Sequence, residues 1–204
     1  MKAILYGIMT VFLTNSLFFL SDFCVKRTVY NPVTIEGFII VFFFFYLFDL
    51  FSLFPREFYN IEMVIQYQQI LKFLLLFDTF QYWIHRMEHK CTLFYHRYHH
   101  FFLKPTIKEA FKGHIADTTL MILCPLYIAM YLCPMNTHSF IITGTIFSNF
   151  FLYIHSNYNF KIDEYLPYYG LMNAAYHHKH HQSFNYNFGH LFWFNDYLFG
   201  TLHE

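Results

Sequence analysis

Charge is what this chain has least of. Only 13% of its 204 residues are Asp, Glu, Lys or Arg, about half the usual fraction of a soluble domain. The net charge is zero, which gives no electrostatic basis for binding nucleic acid. Cysteine is sparse as well. Cys24, Cys91, Cys124 and Cys133 lie far apart without C-x-x-C spacing, which excludes a disulfide framework or a zinc ribbon and leaves buried structural thiols. There is no repeat of fixed period, no low-complexity linker and no haem or flavin motif, and the expectation is one domain over residues 1–204. A secretory leader is disfavoured, because Lys2 is the sole charge of an n-region and no A-x-A site follows.

What is abundant is apolar. Hydrophobic residues make up 56% of the chain, with 30 Phe and 18 Tyr, more than a soluble surface can hide. Residues 3–20 and 36–54 each approach the ~20 residues that cross a bilayer. Residues 61–84 form a third candidate carrying Glu62, Gln66, Gln68, Gln69, Lys72 and Asp78, so its polar face must turn into the protein. Residues 115–133 and 139–154 read as a hairpin around the turn residues Pro134 and Asn136. The expected fold class is an all-α integral membrane protein of four to five transmembrane or re-entrant helices with a cytosolic histidine-rich helical cap. Six of the 13 basic residues (Arg86, Lys90, Arg97, Lys104, Lys108 and Lys112) fall between the third and fourth apolar segments, which assigns that loop to the cytosol. Crossing out and back then returns the chain to the same face at His155, ahead of "HHKHH", and leaves His138 on the other side.

The histidines carry the chemistry. "HRMEHKCTLFYHRYHH" runs from His85 to His100, and "HHKHH" from His177 to His181. His85 and His89 are four apart; His96, His99 and His100 repeat the spacing of His177, His180 and His181. Residues three and four apart share a helix face, so each group can aim two or three imidazoles at one point. Imidazole suits Zn, Cu, Fe and Ni, and eight such ligands exceed the four of a structural zinc site. Two redox-active irons facing a membrane would suit dioxygen chemistry on a lipid chain. Two rivals stand beside this reading. "HRMEH" also matches the inverted zinc-protease motif, with Glu88 as general base, but leaves both H-x-x-H-H groups unexplained. A metal transporter would place its ligands inside its spans near the midplane, whereas these gather at span ends.

At these residues the sequence resembles the fatty acid hydroxylase/sterol desaturase superfamily, over about residues 70–202. That pattern is H-x-x-x-H, H-x-x-H-H, a membrane hairpin, and a last H-x-x-H-H. Methylsterol monooxygenase-like members are the nearest in kind: Pro105, Glu109, Ala110, His114 and Asp117 fall in their order between the boxes, "HSNYNF" at 155–160 is similar to their H-S-G-Y-[DN]-F, and "NDYLFGT" at 195–201 to their terminal W-D-x-x-F-G-T. Asn157, Ile115, Asp117, Asn195 and Tyr176 depart from it, and none removes a box histidine. The resemblance implies two iron ions held by His85, His89, His96, His99, His100, His177, His180 and His181, with His114 and His155 next. It implies O2-dependent hydroxylation or desaturation of a membrane lipid, such as a sterol or related lipid, with electrons from a separate cytochrome and NAD(P)H reductase system. It also implies the endoplasmic reticulum as location. Two roles are open to Glu88, Glu109, Asp117 and Asp196: orienting imidazoles by accepting their second N–H, or making ordinary surface ion pairs.

Overall fold

The computed structural model describes residues 43–91 and 96–203. Among these residues the chain is helical with no β-strand, and a single bridge pairs Leu171 with Phe192. The expected span at 3–20 and the start of that at 36–54 lie outside the described residues; residues 43–50 are helical.

Helix α1 (Tyr67–Lys90) is the axis of the fold. Ile115–Leu132 forms α2, with a π-turn over Thr119–Leu123. Among the described helices it is the one long and apolar enough to cross a membrane. Thr137–Ile154 forms α3, started by Asn136, whose side chain accepts from the Ser139 amide at 2.9 Å. Such an N-cap satisfies an amide the helix leaves unpaired. Both helices of the hairpin pack on α1. The seam with α3 is phenylalanine at helical spacing: Phe77 meets Phe147 edge-on at 4.5 Å and Phe73 meets Phe140 at 5.8 Å.

Only part of the polar set turns inward: Asp78 is buried and Gln66 and Gln69 are half-buried, whereas Glu62, Gln68 and Lys72, expected on the same inward face, are exposed. At the start of α1 the Gln66 side chain accepts from the Asn136 amide, and the Gln66 amide donates to Ser139 Oγ. Gln69 accepts from Cys133 Sγ. Near its end lie His85, Glu88 and His89. From Gln69 to His85 α1 rises roughly 24 Å at ~1.5 Å per residue. The 133–136 turn and His138 therefore sit at one end of the helices and the histidines at the other. Cys91, Cys124 and Cys133 are free thiols.

The terminal segment wraps the middle of α1. Asp78, fully buried, accepts the amides of His190, Leu191 and Phe192 at 2.7–3.3 Å. Asp196 accepts those of Phe188 and Gly189, both at 2.8 Å. Gly189 is required there, since a Cβ would meet the Phe192 carbonyl at 2.3 Å. Tyr82 is bonded to Thr201 at 2.9 Å. Short helices α4 (Ala174–Ser183) and α5 (Phe194–Leu198) flank this wrap.

Candidate metal centre

Nine imidazoles from four segments converge into two clusters. His85 and His89 from α1, His96 and His100 from the 3₁₀ segment His96–Phe101, and His180 from α4 form the first. His99, His155 at the end of α3, and His177 and His181 from α4 form the second. The boxes therefore do not each serve one ion. Neighbouring residues on a helix point ~100° apart while residues four apart nearly align, so His177 and His181 share a site and His180 turns to the other. On the 3₁₀ segment, where side chains three apart would eclipse, His96 and His100 nonetheless share the first cluster while His99 joins the second. Of the two or three imidazoles each H-x-x-H-H group could aim at one point, two do so and the third goes to the other cluster.

The hydrogen bonds fix which nitrogen faces inward. His85 Nδ1 donates to the Phe188 carbonyl at 2.8 Å, His99 Nδ1 to that of Lys112 at 3.1 Å, His155 Nδ1 to that of Phe151 at 2.7 Å and His180 Nδ1 to that of Tyr186 at 2.7 Å. A carbonyl only accepts, so in these neutral rings Nε2 carries a lone pair. In the second cluster Nε2 of His155 lies 3.2 Å from that of His99 and 3.0 Å from that of His177. In the first, Nε2 of His180 lies 3.2 Å from that of His89 and 3.1 Å from that of His100. His99 and His155 thus aim two lone pairs at each other, an arrangement that repels unless a cation lies between. Ligand nitrogens around an ion with ~2.1 Å bonds sit ~3.0–3.4 Å apart, so the spacing fits such an ion. The donor set, all imidazole with no thiolate, suits iron, zinc, copper or nickel.

The electrostatics keep the rings neutral. Burial pushes His89 and His99 down from 6.5 to about 4, and holds His155, His177 and His180 well below the ordinary value, with neighbouring imidazoles adding to the effect. Metal binding needs this form. Among the acids expected to orient imidazoles, Asp117 does so, accepting from His96 Nδ1 at 2.8 Å. Glu88 is 3.7 Å from the same nitrogen, and burial followed by the Asp117 charge pushes its carboxyl up to about 9. Glu109 instead accepts from Thr106 at 2.9 Å, and Asp196 from backbone amides.

The sequence model of the fatty acid hydroxylase family matches residues 70–201, the stretch that carries every histidine of both clusters. The chain belongs to the fatty acid hydroxylase family. Alternative squalene epoxidase of Phaeodactylum tricornutum is 34% identical over 174 residues, covering 83% of this chain and 50% of that protein. Methylsterol monooxygenase erg25A of Aspergillus fumigatus is 33% identical over 144 residues, 66% of this chain and 46% of its own. Human lathosterol oxidase is 28% identical over 134 residues, 65% and 44%. The chain thus spans about half the length of these relatives. No solved structure matches.

Two histidines fall differently from expectation. His114 lies outside both clusters: it is exposed, and its Nδ1 accepts from the Ala116 amide at the start of α2. His190, which no box spacing marks, is buried at 2% exposure beside both clusters, with ring centroids 4.9 Å from His85 and 5.5 Å from His177.

Proposed function

We propose that this family member is a membrane-bound di-iron oxygenase that oxidises a sterol or related triterpenoid lipid. The observation that carries it is the doubled nest of imidazoles whose Nε2 atoms face one another at 3.0–3.2 Å. His85, His89, His96, His100 and His180 would hold one iron, and His99, His155, His177 and His181 the other. Two irons supply the redox capacity to activate dioxygen. The protein supplies rigid neutral ligands, carbonyl acceptors that set their tautomers, and a buried site that excludes water. With O2, 2 electrons and 2 protons, a C–H bond gives an alcohol and one H2O, a C=C bond an epoxide and one H2O, and a CH–CH pair a C=C bond and two H2O; the electrons come from a separate donor protein, of the cytochrome and NAD(P)H reductase class.

Four to five helices would cross the membrane of the endoplasmic reticulum, with the clusters on the cytosolic face. In support, the 133–136 turn and the histidines lie at opposite ends of α1–α3. The names of the relatives favour two substrate classes, a sterol and the hydrocarbon squalene. A one-zinc protease built on Glu88 leaves the whole second cluster without a role, and a transporter is not favoured by ligands gathered at helix ends.

Metal analysis and lipid assay of the purified protein test this reading. The expected result is close to two irons per chain and reductant-dependent oxygen insertion into a sterol or squalene, followed by mass spectrometry. One zinc, no iron and no lipid product would overturn it.

A further inference from the structure

A cavity of about 30 Å³ lies against both histidine clusters. His96 of the first and His99 of the second are part of its wall, so a group seated there sits beside both sites. Two other residues of the lining belong to neither cluster, and each carries a buried polar atom with no hydrogen-bond partner. Gln81, fully buried on α1, donates from Nε2 to the Met121 carbonyl at 2.9 Å, which fixes its carboxamide and leaves Oε1 as an open acceptor. His190 has its backbone amide on Asp78 and its ring stacked on His85 with 22° between the planes, and its Nδ1 is unpaired. The Met121 carbonyl belongs to the π-turn Thr119–Leu123, and single π-turns inside helices recur at functional sites. Phe111, Ile122 and Phe151 complete an apolar side of the wall.

Native proteins rarely leave buried polar atoms unpaired, and here an acceptor and an imidazole border one small space. We propose that this cavity is a hydroxyl seat. Gln81 Oε1 accepts the O–H of a lipid alcohol and His190 donates its ring N–H to the same oxygen. The carbons next to that hydroxyl are then held beside both clusters. The space takes a hydroxyl or a water molecule but not a ring or chain, so the lipid skeleton lies outside it, along the apolar side. The proposal rests on the lipid-oxidation reading and narrows it to a substrate that carries a hydroxyl, in place of a bare hydrocarbon.

Equilibrium binding to the metal-loaded protein, without reductant, tests it with three probes: a 3-hydroxysterol, the matching 3-ketone and the 3-deoxy analogue. The ketone accepts from His190 but offers Gln81 nothing. The expected order is alcohol, ketone, deoxy, with the alcohol at least about tenfold tighter than the deoxy probe. Gln81→Leu should erase the advantage of alcohol over ketone. His190→Phe should erase that of ketone over deoxy. Both variants should keep the iron content of the parent. Equal binding of the three probes to the unmodified protein overturns the proposal and leaves the cavity to water. So does a preference that survives both substitutions, and so does loss of iron in either variant, which would place that residue in the metal shell. The unmodified protein decides the matter even if a variant does not fold. Selective binding of the alcohol with no oxidation of any lipid would sink the oxygenase reading and leave the seat standing.

Discussion

Replacing His99 and His100 one at a time by alanine tests how the doublet divides. His99 faces His155, His177 and His181; its neighbour His100 faces His85, His89, His96 and His180. His99→Ala leaves three imidazoles in its cluster, and His100→Ala leaves four in the other. Losing a residue that only orients a ligand costs ~10–100-fold in metal affinity, so losing a ligand should cost about 100-fold or more, roughly 2.7 kcal/mol at ~1.4 kcal/mol per tenfold. Under dialysis against a chelator that leaves the unmodified protein near two irons, each single variant should keep close to one. The pairs decide the matter. His99→Ala with His155→Ala strikes one site twice and should still retain about one iron. His99→Ala with His100→Ala strikes both and should retain almost none. Iron per chain is read by elemental analysis at matched folded protein, with His138→Ala, at the far end of the helices, as a control that keeps the full content. A His99/His155 pair that empties the protein, or a His99/His100 pair that keeps one iron, would refute the division of the boxes.

Asp78→Ala should destabilise the fold by at least about 3 kcal/mol, because three backbone amides lose their acceptor at ~1–3 kcal/mol each; thermal unfolding reads this, and Asp78→Asn should recover part of it. Gly189→Ala should lower the unfolding temperature as well, since its Cβ would meet the Phe192 carbonyl at 2.3 Å, and an unchanged midpoint would show that the 188–192 turn yields freely. The metal-free protein should lose stability on acidification between pH 6.5 and about 4. Over that range unfolded imidazoles take up protons that the buried His89 and His99 refuse, each worth up to ~1.4 kcal/mol per pH unit, and a flat profile in denaturant melts would count against neutral rings. Single cysteines at His138 and at exposed Gln182, in a cysteine-free background, should be labelled from opposite sides of sealed membranes; labelling from one side would mean that α2 or α3 does not cross.

The hairpin was the most legible part of the fold. Long apolar runs ended by Pro134 and Asn136 give expected helices at 115–133 and 139–154, and the structure has Ile115–Leu132 and Thr137–Ile154. The third segment, expected at 61–84, runs instead from Tyr67 to Lys90. It starts later because residues 60–66 reach across to the 136–139 turn. It ends later because the helix continues where the apolar signal stops: His85 and Glu88 are buried, but among imidazoles and carboxylates rather than hydrocarbon. The box histidines were visible from spacing, and His155 from the crossing count and the family resemblance. Helix spacing separates His180 from His177 and His181 on α4, but which histidines of the two boxes come together depends on where α4 and the 3₁₀ segment sit against each other. His190 had no spacing signal and lay only within the terminal stretch, 182–201, that resembles the family's last block. A lone histidine acquires meaning only when Asp78 folds its backbone back onto α1, and no pattern in the chain announces a contact across 112 positions.

The acceptors that hold the imidazoles have a consequence for how such proteins diverge. His85, His99, His155 and His180 lean on the carbonyls of Phe188, Lys112, Phe151 and Tyr186, main-chain atoms that every amino acid supplies. A substitution at position 112, 186 or 188 changes a side chain and leaves the acceptor in place, so long as the backbone keeps its path. Mutational pressure on this layer falls on turns and on the residues that fix them, such as Asp78, Asp196 and Gly189, and hardly at all on the residues that do the holding. The surroundings of the histidines can therefore drift, and with them the shape offered to a substrate, while the tautomers stay locked. Relatives only 28–34% identical, whose names record acting on different lipids, are what such a division of labour allows.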